Sequence, residues 1–126
     1  MAAIVLSGCV SSPRDEVISA KQFQDIVVPD GLNLVDNAHE SHSNENASYR
    51  MGHFVYTGST RREEAVTYVR QRMPQHSWVL VADDAVDENT NRLRFVRGYY
   101  SAEYKFTRMD GRMQMVVDYR TDYTSR

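Results

Sequence analysis

The fold is decided by residues 92–119, which read RLRFVRGYYSAEYKFTRMDGRMQMVVDY. Apolar side chains alternate with polar ones along three runs, at Leu93, Phe95 and Tyr99, then Ala102, Tyr104 and Phe106, then Met113, Met115, Val117 and Tyr119. Alternation with a period of two is typical of half-buried strands. Asp110-Gly111, between the second and third runs, is a pair that two-residue hairpin turns prefer. The stretch therefore predicts antiparallel strands with one apolar face and one solvated face.

One strand and one helix are predicted immediately upstream. Residues 50–58 alternate in the same way, with a glycine at the end of the run. Thr60-Arg61-Arg62-Glu63 fits a capping box, in which the first side chain caps free backbone amides and the last reaches back. The helix that follows carries an apolar stripe of Val66, Val69 and Met73. It ends at that methionine, because Pro74 disfavours helix in the residue before it.

The remaining strand completes the predicted architecture. Trp78–Ala82 is a compact apolar run that predicts a buried strand, and Asp83–Asn91 reads as an acidic loop. The element order is therefore β-α-β-β-β-β. We expect an α+β fold, an antiparallel sheet of about five strands with one helix packed on one face.

The first part of the domain carries weaker signals. Ile26-Val27-Val28 predicts a short strand that ends in a turn at Pro29-Asp30-Gly31. Residues 36–48 are rich in Asn, Ser, His and Glu, with almost no large apolar side chain, which predicts an exposed, mobile loop. The sequence thus indicates a single domain over residues 26–126 with a polar loop at 36–48.

The N-terminus carries the clearest local motif. Leu6-Ser7-Gly8-Cys9 places the only cysteine at the end of a short apolar run, and it resembles the lipobox of bacterial lipoproteins. In that family the signal is cut before the cysteine, whose sulfur then carries lipid. The resemblance implies a signal-peptide remnant at 1–8 and a lipidated Cys9 with a tether at 9–25. No Lys or Arg precedes the apolar run, so either the start codon lies upstream and the signal is truncated, or the motif is accidental. In the second case the chain is cytosolic, with a short buried N-terminal strand and a free, packed cysteine.

A second set of residues resembles a pattern found in short, uncharacterised bacterial lipoproteins. It comprises Val28-Pro29-Asp30-Gly31-Leu32, Arg50-Met51-Gly52, Tyr56, Gly58, Tyr68, Met73-Pro74, Trp78 and Leu80. The pattern covers roughly residues 27–108 and implies a small anchored envelope domain, with no catalytic residue to carry over. The polar insertion 37–48 departs from it, since a shorter connection is expected there.

Size and charge limit the classes of function. The chain has 126 residues, one cysteine and a formal net charge of −2. About 118 residues after the cysteine suit one domain that folds without a metal or an intramolecular disulfide. The acidic balance argues against nucleic-acid binding, and the sequence contains no apolar run of 18 residues that predicts a membrane-spanning helix.

Histidines in the polar loop are the sharpest candidates for a ligand site. Imidazoles and a carboxylate in His39-Glu40-Ser41-His42 are suitable ligands for zinc or copper. The zincin motif needs His-Glu-x-x-His on a helix, and the spacing here is one residue short. His39 and His42 are therefore weak metal candidates, against the alternative of a solvated loop that contains histidines.

Two charged clusters offer further candidates. Asp83-Asp84 and Asp87-Glu88 are rich in oxygen ligands, but the cluster lacks the central Gly and the spacing of a calcium loop, so a soluble acidic loop is the alternative. Arg92, Arg94 and Arg97 lie near several tyrosines and are candidates for contact with anionic envelope polymers or lipid headgroups. The alternative for them is an ordinary solvated face.

No nucleophile elbow or Gly-rich phosphate loop is present, so no catalytic residue and no cofactor is predicted. We expect a non-enzymatic lipoprotein, anchored to a membrane of the cell envelope through Cys9, that serves as an interaction or accessory module for an envelope protein partner. Val10 after the cysteine favours the outer membrane, by resemblance to lipoprotein sorting. The alternative function is a small-molecule or metal-ion-binding domain that uses the His39/His42 loop, and the alternative location, if the lipobox is accidental, is the cytoplasm.

Overall fold

Seven strands form one antiparallel sheet in the computed structural model, which describes residues 23–35, 40–46 and 49–122. The strands are β1 (Leu32–Leu34), β2 (His42–Asn46), β3 (Tyr49–Gly58), β4 (Val79–Asp87), β5 (Thr90–Arg97), β6 (Tyr100–Met109) and β7 (Arg112–Thr121). A helix, α1 (Arg62–Arg72), and a 3-10 turn (Met73–His76) connect β3 to β4.

The order of the strands is β1-β3-β7-β6-β5-β4, and β2 also pairs with β3. Strands β4 to β7 form a meander of consecutive antiparallel neighbours. β7 then returns to β3, with Gly58 opposite Met113 at one end and Met51 opposite Arg120 at the other. β1 and β2 share the other edge of β3. β1 pairs with the C-terminal end of β3, and β2 pairs with the N-terminal end of β3.

The core lies on one face of this sheet. The alternate residues of 92–119 are buried as expected, except Tyr99, which is 44% exposed beside the positive-φ Gly98. Trp78 and Phe23 join the same cluster. Helix α1 contributes Ala65, Val66 and Val69 to this core cluster, and the 3-10 turn contributes Met73.

The predicted fold class is wrong. Strands account for 58% of the described residues, against one α-helix of 11 residues, so the structure is a seven-stranded antiparallel sheet and not a five-stranded α+β fold. The two additional strands carry weak signals: Leu32 and Leu34 indicate only a short extended piece, which is β1, and β2 consists of polar residues. The order β-α-β-β-β-β accordingly lacks β1 and β2.

Residues 26–28, predicted as a strand, lie outside the sheet. A side chain satisfies the backbone of Val27 instead, because the Tyr104 hydroxyl accepts a hydrogen bond from Val27 N–H (3.2 Å) and donates one to Val27 O (2.8 Å). Ile26 is buried in the core cluster. An apolar run of three residues can therefore cover a core without forming a strand.

The predicted mobile loop at 36–48 contains β2. Two residues of this part of the chain, Val35 and Ser41, bond to the backbone of Val55. Val35 N–H donates to Val55 O (2.7 Å), and the buried Ser41 Oγ accepts from Val55 N–H (2.9 Å). Residues 42–46 then pair with β3, while His42, Asn44 and Glu45 remain exposed. Backbone pairing forms this edge strand, which explains why the hydropathy pattern predicts a loop.

The acidic loop predicted at Asp83–Asn91 is also largely strand. β4 continues to Asp87 and β5 begins at Thr90. Its carboxylates pair with neighbouring guanidinium groups, at 2.9 Å for Arg70–Asp83 and 2.9 Å for Arg92–Asp84. Charge pairing across the surface thus offsets the poor strand propensity of aspartate.

Helix α1 begins without the predicted capping box. The Thr60 hydroxyl donates to the Asp30 carbonyl oxygen (2.6 Å), so it does not cap the helix. The N-cap is Arg61, whose side chain makes no capping hydrogen bond. At the other end α1 stops at Arg72, and the 3-10 turn closes on Ser77, which has a φ of 73°.

Several predicted features lie outside the described residues. They are the signal remnant at 1–8, Cys9, the tether as far as residue 22, and His39. Within the described ranges, no helix combines the length and the apolar character needed to cross a membrane.

Candidate binding groove on the outer face of the sheet

A row of polar side chains crosses five neighbouring strands. Cross-strand pairing places His42 on β2 opposite His53 on β3, and His53 opposite Asp118 on β7. The same row continues to Glu103 on β6 and Arg94 on β5. Since strand side chains alternate between faces, these residues lie on the face opposite the core-facing residues that flank them in sequence. We call them the polar row.

The centre of the polar row is a histidine–carboxylate pair. His53 Nδ1 lies 2.6 Å from Asp118 Oδ1, and both side chains are about one-third exposed. An ionised carboxylate can only accept a hydrogen bond, so Nδ1–H donates and a neutral His53 carries its lone pair on Nε2. The His42 ring stacks on His53, with 5.5 Å between the ring centroids and 22° between the planes. Asp118 therefore fixes one imidazole, which supports the other.

A groove of about 560 Å³ lies beside this pair. It is lined by His42, Tyr49, Met51, Gly52, His53, Asp118, Tyr119, Arg120 and Thr121. A Cβ atom on Gly52 would lie 2.5 Å from the Phe54 ring and 3.2 Å from the Phe23 ring. A glycine at this position therefore lets the core aromatics approach the strand beside the groove.

A smaller cavity of about 180 Å³ continues the groove along the polar row. The two cavities share Asp118 and Arg120, and the second adds Arg94, Ser101, Glu103 and Asp122. In the part of the chain that the structure describes, the side chains of Arg94 and Arg120 form no ion pair and no hydrogen bond. The combined surface therefore offers guanidinium donors, carboxylate acceptors and an imidazole to a polar ligand.

Like charges meet within the row. Asp118 and Glu103 are directly opposite on adjacent strands, an arrangement that is unfavourable by itself. Neighbouring donors offset it, because Asp118 accepts from His53 and Glu103 lies 3.7 Å from Arg92 NH1. Two adjacent carboxylates of this kind give the groove a fixed set of acceptors.

A second cluster, which we call the anchor cluster, lies on the core side of the same end of the sheet. Asp25 Oδ2 accepts from the Tyr119 hydroxyl (2.8 Å), pairs with Arg97 and lies 3.4 Å from Arg50 NH1. The Trp78 indole N–H donates to the Asp25 carbonyl oxygen (2.8 Å). Burial raises the pKa of the Tyr119 phenol, and the hydrogen bond to Asp25 adds to the shift. These contacts hold the segment at Phe23–Ile26 on the sheet.

The aromatic surroundings of the anchor cluster stabilise its cations. The Arg50 guanidinium lies over the rings of Phe23 (4.2 Å) and Tyr119 (5.0 Å), and that of Arg97 lies over Trp78 (4.6 Å). Cation–π contacts of this kind are worth about 0.5–2 kcal/mol each. The sequence places Phe23 and Asp25 in the tether, whereas here Phe23 packs edge-on against Tyr119, which also lines the groove.

The candidate residues predicted from the sequence separate in the structure. His42 lines the groove, while His39 lies outside the described residues. Among those residues, no cluster of three or more His, Cys, Asp or Glu side chains is placed to hold a metal ion. Arg92 pairs with Asp84 and Arg94 lines the smaller cavity, but Arg97 belongs to the anchor cluster. The three arginines therefore do not form one surface.

Sequence reasoning missed His53, Asp118, Glu103 and Arg120 as a group. The alternation of residues 50–58 puts His53 on the face opposite Phe54, so its exposure is predictable. Its partner is not, because the neighbour of β3 across the sheet is the last strand and not the next one.

No protein-family model, curated protein or solved structure shows significant similarity to the chain. The groove is therefore interpreted from its own residues.

Proposed function

We propose that this chain is a lipoprotein of the cell envelope, anchored through Cys9, whose sheet domain is a non-enzymatic interaction module. The lipobox Leu6-Ser7-Gly8-Cys9 supports the anchorage. The observation that carries the binding role is the groove of about 560 Å³ beside His53 and Asp118, with its mixed donors and acceptors. Grooves of this size with converging polar groups are the usual form of ligand and partner sites.

A binding role suits the groove better than catalysis. The His53–Asp118 pair supplies two parts of a hydrolytic triad, and such a triad needs an accessible nucleophile beside the imidazole. The nearby Ser41 is fully buried, and its Oγ accepts the Val55 N–H. An oriented imidazole with flanking carboxylates and guanidinium groups instead suits recognition of a polar partner segment from another envelope protein.

The anchor cluster and the groove lie at the same end of the sheet. Phe23 is the first described residue, and it packs on Tyr119, which lines the groove. Residues 10–22 span at most about 45 Å when fully extended. The tether therefore keeps the groove close to the membrane that holds Cys9, where an envelope partner is concentrated.

Lipid labelling tests the anchorage. The coding sequence is expressed with its natural upstream region, and radiolabelled palmitate and detergent-phase partitioning are measured. Cys9→Ala is expected to lose both the label and the membrane fraction, whereas the matched variant Ser12→Ala keeps them. Membrane partition that persists in Cys9→Ala contradicts the proposal.

The alternative function, binding of a small molecule or metal ion through the polar loop, is favoured by one observation. His42 belongs to the predicted polar loop but lies on β2, where its ring stacks on His53 and both residues line the groove. An NMR titration with ZnCl2 tests the metal version, and the side-chain resonances of His42 and His53 are expected to shift together. His76, an exposed histidine that does not line the groove, is the internal control. Equal shifts at all three histidines, or none, exclude the metal version.

A further inference from the structure

Four arginines surround a pocket at the opposite end of the sheet from Phe23. The pocket, of about 280 Å³, lies between the start of α1 and the β6–β7 turn. Its lining includes Arg61, Arg62, Arg108 and Arg112, and among the described residues Glu63 is the only acidic one that lines it. We call it the arginine pocket. This concentration of positive charge contrasts with the net charge of the whole chain, which is −2.

Within the described residues, the arginines of this pocket have weaker carboxylate pairing than four arginines elsewhere in the structure. Each of Arg50, Arg70, Arg92 and Arg97 lies within 3.4 Å of an aspartate oxygen. In the arginine pocket the closest ion pair within the described residues is Arg62–Glu63, at 3.9 Å. Nearby guanidinium groups also help to lower the pKa of the Glu63 carboxyl, after the hydrogen bond to its own backbone. The local field is therefore positive and only partly neutralised.

Two of the guanidinium groups are held in place and two are available. Arg62 NH1 donates to the Glu88 carbonyl oxygen (3.2 Å), and Arg112 NH2 lies 3.5 Å from Thr57 Oγ1. Arg61 and Arg108 use their side chains in no hydrogen bond or ion pair with any residue that the structure describes. In the same described part, Nε of Arg62 is buried without a hydrogen-bond partner. An anion in the pocket would gain donors that the protein leaves unused.

The backbone adds to this field without being its main source. Neither Thr60, which donates to Asp30, nor the N-cap residue Arg61 caps α1, and the Glu63 carboxyl accepts from its own backbone N–H in the first turn. The first-turn N–H groups of a helix of this length carry a partial positive charge. They lie at the wall of the pocket formed by Arg62 and Glu63.

We propose that the arginine pocket binds the phosphate group of a phosphomonoester. A phosphomonoester carries a charge of about −1.5 to −2 at neutral pH and three strong acceptor oxygens. Guanidinium groups bind such oxygens in bidentate pairs, and a phosphomonoester carries more negative charge than a carboxylate. The inference does not depend on anchorage through Cys9. Soluble phosphomonoesters and phosphomonoester lipid headgroups present the same chemistry to the pocket.

Titration with inorganic phosphate, at constant ionic strength against sodium chloride, tests the site directly. Backbone amide resonances of Arg62, Glu63 and Gly111 are expected to shift with saturation in phosphate and to stay unchanged in chloride. The double variant Arg61→Gln/Arg108→Gln is expected to weaken binding about tenfold or more, because it removes two charge-assisted donors. Both side chains are exposed, so the fold is retained, and Arg72→Gln at the other end of α1 is the matched control.

A vesicle arm distinguishes the sources. Co-sedimentation is compared for phosphatidylcholine vesicles with and without phosphatidic acid, whose headgroup is a phosphomonoester. Phosphate binding together with Arg61- and Arg108-dependent sedimentation assigns the site to a headgroup. Phosphate binding alone assigns it to a soluble ligand. Absence of saturable phosphate binding, or equal binding by the double variant, overturns the proposal and leaves the anchorage proposal untouched.

Discussion

The hydroxyl of Tyr119 donates a hydrogen bond of 2.8 Å to the carboxylate of Asp25, a residue 94 positions earlier in the chain. The contact joins the first described segment to the last strand. Asp25 also accepts from Arg97, and its backbone oxygen accepts from the Trp78 indole. One aspartate thus connects β5, β7 and the residue before β4 to the segment that leads towards the lipobox.

Replacing Asp25 with alanine is expected to destabilise the domain by about 2–4 kcal/mol, because Arg50, Arg97 and Tyr119 lose a shared, mostly buried acceptor. Urea unfolding followed by the fluorescence of the single tryptophan measures the change. Asp30→Ala is the control, since that side chain is exposed and its residue bonds Thr60 through the backbone. Equal stability of the two variants contradicts the prediction.

Trp78 is expected to be among the most sensitive core positions. Its side chain is 2% exposed, so Trp78→Ala leaves a large cavity and costs about 3–5 kcal/mol. Trp78→Phe is expected to cost less, because it keeps much of the ring packing and loses mainly the hydrogen bond to Asp25. Thermal unfolding followed by circular dichroism ranks the two variants. The ranking fails if Trp78→Phe is as unstable as Trp78→Ala.

Gly58 is required by a close approach of two backbones. A Cβ atom added there would overlap the carbonyl oxygen of Gly31, and a backbone atom cannot move as a flexible side chain can. We expect Gly58→Ala to cost roughly 2–4 kcal/mol. A Cβ atom at Gly98 has no atom within 4 Å, so Gly98→Ala is destabilised only by the φ of 63°, by about 1 kcal/mol. Chemical denaturation of both variants that gives the reverse order would contradict this account.

Alkaline pH is expected to unfold the protein through its buried phenols. Burial raises the pKa of Tyr56, Tyr104 and Tyr119 above the ordinary value near 10. Above pH 10 the unfolded chain releases these protons while the folded state keeps them, so stability is complete below pH 10 and falls as pH rises. Each phenol contributes a slope of up to about 1.4 kcal/mol per pH unit.

Denaturant titrations between pH 9 and 11.5 measure that slope. Tyr56→Phe removes one of the three phenols and is expected to make the decline shallower. A stability that stays constant above pH 10 in the wild type would show that these phenols do not retain their protons in the folded state.

The long strands could be predicted because apolar and polar residues alternate along them. Along Leu93–Phe95, Ala102–Phe106 and Met113–Tyr119 every second side chain is apolar and buried, so the period of two identifies these elements directly. β2 could not be found in this way. Its residues 42–46 pair through the backbone at an edge, and none of them is an apolar residue that packs in the core.

The candidate site was predicted only in fragments for a different reason. The neighbours of His42 in sequence predict a ligand role for it, yet its partner in space is His53. In the arginine pocket, Arg61 is the N-cap residue of α1 and Arg108 lies near the end of β6, so no local sequence pattern relates them. A site formed by residues from opposite halves of the chain depends on strand order, which a single sequence leaves open.

The pairing of β3 with β7 has a consequence for the order of events during synthesis. β3 is made early, but β7 (Arg112–Thr121), which covers one of its edges, is made after every other described strand. Contacts between distant segments form slowly. The emerging polypeptide therefore lacks a complete sheet until its final strand is available. In the exported lipoprotein that we propose, this delay would keep the polypeptide unfolded during translocation, and folding would be completed on the far side of the membrane.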